Sequence, residues 1–257
     1  MKKIYNTLLI IVCLLFNLNN LFSASPNLLF KIGGSQQDYG RSIDLDSAGN
    51  IYILGDFNSS NLNFNNGVTL SGDGLGDIFL AKYNSSGICQ WAQKIYGAGT
   101  DQATQLKVDK HGNIYLVGYY SSANLTFNNG KTINNIGSND AFLSKYNTNG
   151  TCQWAINIAG NNSDLANSID LDSSGNIYIS GTFTSSSINM NNGKFLNNFS
   201  SLDIFIAKYN NSGLCQWAEK IAGTGLDNIF TIKVDNDNNV YTAGYYSSAT
   251  LNFNNGF

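Results

Sequence analysis

The sequence predicts an all-β chain made of stacked, equivalent units, and three observations carry that prediction. The first is an unbroken recurrence: Tyr52, Tyr115, Tyr178 and Tyr241 stand 63 residues apart, as do Trp91, Trp154 and Trp217. Gly55, Gly118, Gly181 and Gly244 keep the same step, as do Gly67, Gly130, Gly193 and Gly256, so no insertion or deletion separates the copies. A period of this length marks supersecondary units that bury their apolar faces against one another. The second is composition: 26 Gly and 40 Asn favour turns and weaken helices. The third is turn chemistry at fixed places between short apolar runs, the signature of β-hairpins.

Length and charge bound the rest. With 257 residues, 42% apolar and 12% aromatic, the chain can bury a sizeable core. Charged residues make up only 12% and the formal net charge is −3, so no basic surface exists to neutralise phosphates, and nucleic-acid binding is excluded. The acidic residues are 16 Asp and the lone Glu219, and the one histidine is His111, which leaves little acid/base machinery. No cofactor is expected.

In chain order, residues 1–25 read as a secretory signal peptide: Lys2 and Lys3, an apolar run from Leu8 to Phe16, then the small residues Ser23, Ala24 and Ser25. A membrane span needs ~20 apolar residues, and Asn17, Asn19 and Asn20 interrupt the run, so no span is expected after cleavage. A lipid anchor on Cys13 is disfavoured because Ile11 and Val12 precede it where a small residue is required. Residues 26–257 are expected to form the repeat domain. Each copy opens with a hairpin, as in Ser42 to Leu45 and Ile51 to Leu54 joined by Asp46-Ser47-Ala48-Gly49-Asn50, which returns as Asp109 to Asn113, Asp172 to Asn176 and Asp235 to Asn239. A looser stretch follows, Leu62 to Gly67 and its copies Leu125 to Gly130, Ile188 to Gly193 and Leu251 to Gly256, expected as an edge strand or outer loop. A second hairpin then joins Ile78 to Tyr83 and Cys89 to Ile95 through Asn84-Ser85-Ser86-Gly87.

Four or five short antiparallel strands per copy make one blade, and the expected fold is a β-propeller of four 63-residue repeats, the last incomplete. Ile114 to Val117 are continuously apolar, as suits a strand covered on both faces by neighbouring blades. The tryptophan of the last strand is expected to fill the space between blades, and truncating Trp154 to Ala there would cost ~3–5 kcal/mol if the ring is buried. Cys89, Cys152 and Cys215 hold one repeat position in three blades, too far apart for a disulfide, and are expected as buried small residues.

At Asp109, Gly112, Asn113 and Tyr115, then Asp140-Ala141-Phe142-Leu143-Ser144-Lys145-Tyr146, then Gly150 and Trp154, the chain resembles the bacterial β-propeller repeat family of the SBBP type. The likeness runs through nearly everything after Pro26. It implies the propeller fold and brings no common catalytic residue. One departure is the 63-residue unit, longer than the usual repeat, with the excess around the Asn-Asn-Gly stretch.

The copies also alternate. Copies one and three share Ser42-Ile43-Asp44-Leu45-Asp46 and Ser168-Ile169-Asp170-Leu171-Asp172, whereas two and four share Lys107-Val108-Asp109 and Lys233-Val234-Asp235, which points to duplication of a two-blade block and an even blade count. Asn27 to Gly34 aligns with the outermost strand, while the counterpart of Asp203 to Tyr209 would fall beyond Phe257, so the expectation is either a thinned closing blade or a fragment of a longer array.

Candidate sites are few. His111 replaces Ala48, Ser174 and Asp237 in a turn and is expected as a solvated turn residue; Asp235 to Asn239 resembles the start of a calcium loop, but Val240 stands where glycine is needed, and no metal is expected. The candidate ligand-binding residues are Tyr119, Tyr120, Tyr245 and Tyr246 with Asn128, Asn129, Asn191 and Asn192, because aromatic faces beside amides suit sugar rings. The plain alternative is core packing for Tyr120, Tyr246, Phe57 and Phe183, and turn formation for the Asn-Asn-Gly stretches. The expected function is a secreted or cell-surface, non-enzymatic scaffold that binds a protein or ligand. A lectin-like glycan-binding propeller is the first alternative. Part of a larger exported enzyme is the second, which would need three or more ionisable side chains converging from different blades.

Overall fold

The computed structural model describes residues 10–12, 28–72, 75–198 and 202–253. Most of the expected signal peptide and Cys13 therefore lie outside the described residues; within it, Ile10–Val12 pairs antiparallel with Leu28–Phe30. Among the described residues there is no α-helix.

Three successive copies each form a four-stranded antiparallel sheet. The first sheet runs Asp38–Leu45, Ile51–Phe57, Asp77–Tyr83 and Cys89–Ile95, in that spatial order. The second runs Asp101–Val108, Ile114–Tyr120, Asp140–Tyr146 and Cys152–Ile158. The third runs Asp164–Leu171, Ile177–Phe183, Asp203–Tyr209 and Cys215–Ala222. Of the fourth, Asp227–Val234 and Val240–Tyr246 are present as a pair. First strands of consecutive sheets lie against each other, so that edge is innermost and the sheets are arranged as blades around an axis.

Apolar runs in the second strand become the core. Ile114, Tyr115, Leu116 and Val117 are all fully buried, as a strand covered on both faces requires. Each inner hairpin is bulged between its first and second strands, near Gly40, Ala103, Ala166 and Ile229. The bulge explains the recurrent glycine opposite it: a Cβ on Gly118 would stand 2.2 Å from the Gln102 carbonyl, and one on Gly181 2.0 Å from that of Leu165.

The looser stretch differs most from its expected form. It is neither an edge strand nor a plain loop but a third hairpin in each complete copy: Asn61–Asn63 with Thr69–Ser71, Asn124–Thr126 with Thr132–Asn134, and Ser187–Asn189 with Phe195–Asn197. Its first strand bonds to the outermost chain of the preceding blade, at Gly33 with Asn63, Tyr96 with Thr126 and Ala159 with Asn189, and Asn252–Phe253 repeats this against Ala222 and Ile221. Its inward side chains, Leu62, Leu125 and Ile188, are fully buried. The additional length of the repeat is therefore a clasp from each blade onto the one before it.

The tryptophans are half-buried rather than buried. Trp91 stands edge-on to Tyr52 and Trp154 is tilted against Tyr115, and their indole N–H groups donate to Thr148 O (3.3 Å) and Asn211 O (3.2 Å) in the next blade. Cys89, Cys152 and Cys215 are buried free thiols.

Described strands leave the arc open on both sides. Ile43 is 45% exposed although its counterparts Leu106, Ile169 and Ile232 are at most 1% exposed, and Tyr241 is 57% exposed where Tyr52, Tyr115 and Tyr178 are buried.

Candidate binding face

One end of the blades is built from the hairpin turns. In the first turn of each copy an aspartate organises its own loop: Asp109 Oδ1 accepts the N–H groups of His111 (2.8 Å) and Asn113 (2.9 Å), and its Oδ2 accepts the Asn113 amide (2.8 Å) and the Tyr115 hydroxyl (3.2 Å). Asp46, Asp172 and Asp235 do the same. Burial pushes the Asp109 and Asp172 carboxyls up, and the donated hydrogen bonds, led by Asn113 and Asn176, outweigh it and hold both below their usual value. A lysine from the third strand, Lys82, Lys145 or Lys208, covers the Tyr52, Tyr115 or Tyr178 ring.

On this recurrent frame sit the residues that differ between copies. Lys110 and His111 of the second blade, Ser173 and Ser174 of the third and Asn236 of the fourth line a cavity of about 380 Å³, with Val108 and Leu171 as its apolar part and Asn211 at its side. The Lys110 ammonium donates to the Ser173 carbonyl (3.2 Å), tying two blades at the cavity. Four ionisable groups from two blades converge here, Asp109, Lys110, His111 and Asp172, which meets the condition that the enzyme alternative sets. Both carboxylates are occupied in holding turns and the lysine in bridging blades, which leaves the exposed His111 imidazole beside hydroxyls and amides. Such a lining can hold a polar group. Among the described residues no three His, Cys, Asp or Glu side chains group as a metal site.

Deeper along the axis, one repeat position alternates in charge as Asp44, Lys107, Asp170 and Lys233. Asp170 receives Lys107 at 3.3 Å and Lys233 at 3.7 Å, and its Oδ2 also accepts Val234 N–H (3.0 Å) as Asp44 Oδ2 accepts that of Val108 (2.9 Å). The alternation of copies in the sequence is thus an alternation of joints between blades.

The candidate ligand-binding residues lie elsewhere and are not brought together. Tyr119 and Tyr120 close the second strand of their blade at the end opposite the turns. Tyr120 is fully buried, with its hydroxyl on Asn157 Oδ1 (3.0 Å), which removes it from any binding surface. Tyr119 shares Gln102 with Arg41, whose guanidinium holds Asp56 through two bonds of 2.6 and 3.1 Å. Tyr245 and Tyr246 are 50% and 64% exposed on the open side of the arc. Asn129, Asn191 and Asn192 adopt the left-handed conformation at the clasp tips, with φ of 66°, 74° and 53°. The side chains of Asn128, Asn191 and Asn192 reach the outer hairpin of their own blade, bonding to Gly150 O, Gly213 O and Cys215 O. Those amides fasten the clasp, and Phe57 and Phe183 are core as expected, whereas Tyr246 is not core, because it stands on the open side of the arc.

Sequence reasoning overlooked a recurrent pair at the other end. Asp38, Asp101, Asp164 and Asp227 are buried, each accepting the hydroxyl of Ser59, Ser122, Ser185 or Ser248 at 2.7–2.8 Å and the same serine's N–H at 3.2 Å. Both partners recur every 63 residues, a signal that was present among the polar positions.

Comparison with known proteins agrees with this architecture. Residues 32–63, which run from the outermost chain through the first inner hairpin into the first strand of the clasp, match the SBBP model described as Beta-propeller repeat. The chain is also similar to an uncharacterized WD repeat-containing protein of Acanthamoeba polyphaga mimivirus, 30% identical over 208 residues, which cover 70% of this chain and 15% of the relative. The chain thus spans a small part of that relative's length. It is a repeat protein, and it carries an SBBP β-propeller repeat at residues 32–63.

Proposed function

We propose that this protein is a secreted or cell-surface, non-enzymatic propeller scaffold that binds a partner protein on its hairpin-turn face, as part of an even-bladed array. The single observation carrying this reading is the division of labour among repeat positions. Side chains that recur in the copies are spent on turns, clasps and blade joints, while those that vary, Lys110, His111, Ser174 and Asn236, gather around one cavity on one face. A fold of this kind supports many functions, and its loops carry the specificity. Secretion is supported by the leader pattern at residues 1–25.

The test replaces Lys110, His111 and Asn236 together by alanine and compares the variant with the wild type in crosslinking capture on the producing cells and on a glycan array. Loss of a captured protein by the triple variant supports the reading. Equal capture by both proteins overturns it; array binding that depends on the tyrosines would favour the lectin alternative, and a hydrolytic or lyase activity lost in His111→Ala would favour an enzyme.

A further inference from the structure

At the end opposite the turns, every junction between blades sets two aspartates together. Asp77, Asp140 and Asp203 open third strands; Asp101, Asp164 and Asp227 open the first strands of the next blades. The chains meet where Asp101 N–H donates to Gly76 O (3.0 Å), where Asp164 N–H donates to Asn139 O (2.8 Å), and at the bridge of Leu202 with Leu226. These carboxyls are buried, and a buried carboxylate needs a compensating positive charge or a proton.

The junctions differ in how this is met. Beside Asp77 stands Lys94 at 3.5 Å, and beside Asp203 stands Lys220 at 3.8 Å. In the junction between the second and third blades the same repeat position is Asn157, and the cross-strand neighbour that is Phe57 or Phe183 in the other blades is Tyr120. The two exchanges act together: Tyr120 donates to Asn157 Oδ1 (3.0 Å), and Asn157 Nδ2 donates to Asp140 Oδ2 (3.2 Å), which also accepts Ile136 N–H (2.6 Å). Asp140 Oδ1 is sealed from solvent and has no hydrogen-bond partner. The titratable groups facing this carboxyl are Tyr120 and, beyond it, Asp101 on its own blade and Asp164 on the next; Asn157 is neutral. Among the described residues neither Asp140 nor Asp164 has a lysine or arginine in an ion pair.

We propose that the seam between the second and third blades takes up one solvent proton on Asp140, replacing the ammonium that Lys94 and Lys220 supply in the flanking seams, and is therefore a pH-responsive joint of the array. Proton uptake turns the orphan oxygen into a neutral hydroxyl and removes one of two adjacent buried negative charges; release on alkalinisation restores both and loosens the joint. Burial drives the Asp140 carboxyl up, in the same sense.

The test rebuilds the flanking chemistry with Tyr120→Phe and Asn157→Lys in one variant and removes the charge with Asp140→Asn in another. Equilibrium unfolding of each full chain is followed from pH 5 to 8. One proton bound only by the folded state changes the folding equilibrium up to tenfold per pH unit above the unfolded-state pKa. The wild type should therefore lose stability across this range by up to tenfold per pH unit more than either variant. An infrared carbonyl band of protonated carboxyl at pH 6, weaker in Asp140→Asn than in wild type, should accompany it, and this reading survives even if the double variant fails to fold. Equal pH slopes with a band of equal strength in wild type and Asp140→Asn overturn the proposal. So does stabilisation of the wild type, and not of Asp140→Asn, by calcium or potassium at pH 8, which would make a metal ion the compensating charge.

Discussion

At the scale of single residues the buried aspartate and serine pairs decide more than the tyrosines that stand out in the sequence. The Ser122 hydroxyl donates to the buried Asp101 Oδ2 at 2.7 Å and accepts the half-buried Gly99 N–H at 2.8 Å, so it satisfies two groups at once. Ser122→Ala leaves both without that partner, and a buried polar group so orphaned costs ~1–3 kcal/mol; chemical denaturation should show a loss of that size, while Ser121→Ala, on an exposed neighbour, should stay within about 0.5 kcal/mol. Trp154 is half-buried and keeps one indole hydrogen bond, so Trp154→Ala should fall below the ~3–5 kcal/mol typical of a core tryptophan, at about 2–3 kcal/mol by the same measurement. The aromatic residues are easy to notice because they are large. Asp101 and Ser122 are not, since a single Asp or Ser in a chain rich in both reads as turn chemistry until its 63-residue recurrence is followed.

Among elements, the inner and outer hairpins are legible in the sequence and the clasp is not, for a physical reason. Turns at Asp46 to Asn50 and Asn84 to Gly87 close on themselves: Asn84 Oδ1 accepts Ser86 and Ile88 N–H groups at 3.0 and 2.9 Å. Local sequence therefore contains the whole interaction. The clasp strands have only three residues each, and what fixes them is a pairing to another blade and a buried side chain such as Leu125, neither of which is local. Because Leu125 is fully buried in the cluster formed by the first two blades, Leu125→Ala should destabilise by ~2–5 kcal/mol. Hydrogen exchange should in addition show faster exchange at the Thr126 and Tyr96 amides, which bond to each other's carbonyls at 2.8 and 3.0 Å, than at the inner strands. Unchanged protection at Tyr96 would mean that the clasp hangs on the blade without holding it.

For the whole molecule, the alternation of Asp44, Lys107, Asp170 and Lys233 is legible by comparing the copies in the sequence, but its meaning as alternating blade joints depends on which blades meet at the axis. The same holds for the response to pH, which sums opposed sets of carboxyls at the two ends of the blades. At the turn end Asp46, Asp109 and Asp172 are held below their ordinary value of 3.8, so the stability they contribute is present above that value and is lost as pH falls through and below it. At the other end burial, partly offset by Ser122 and Ser185, pushes Asp101 and Asp164 up to about 6. A carboxyl raised in the folded state stabilises below its ordinary value and loses that contribution as pH rises through about 6. The two sets therefore bracket a maximum: thermal stability should peak near pH 4–5 and decline on both sides, with each kcal/mol worth roughly 2–4 °C in the midpoint for a chain of this size. Calorimetric scans from pH 3 to 8 at constant ionic strength check this, and a midpoint that climbs steadily from pH 5 to 8 would show that the junction aspartates ionise without penalty. Ser122→Ala sharpens the same experiment, because removing the hydroxyl that favours the Asp101 carboxylate should raise that carboxyl further and steepen the decline above pH 5.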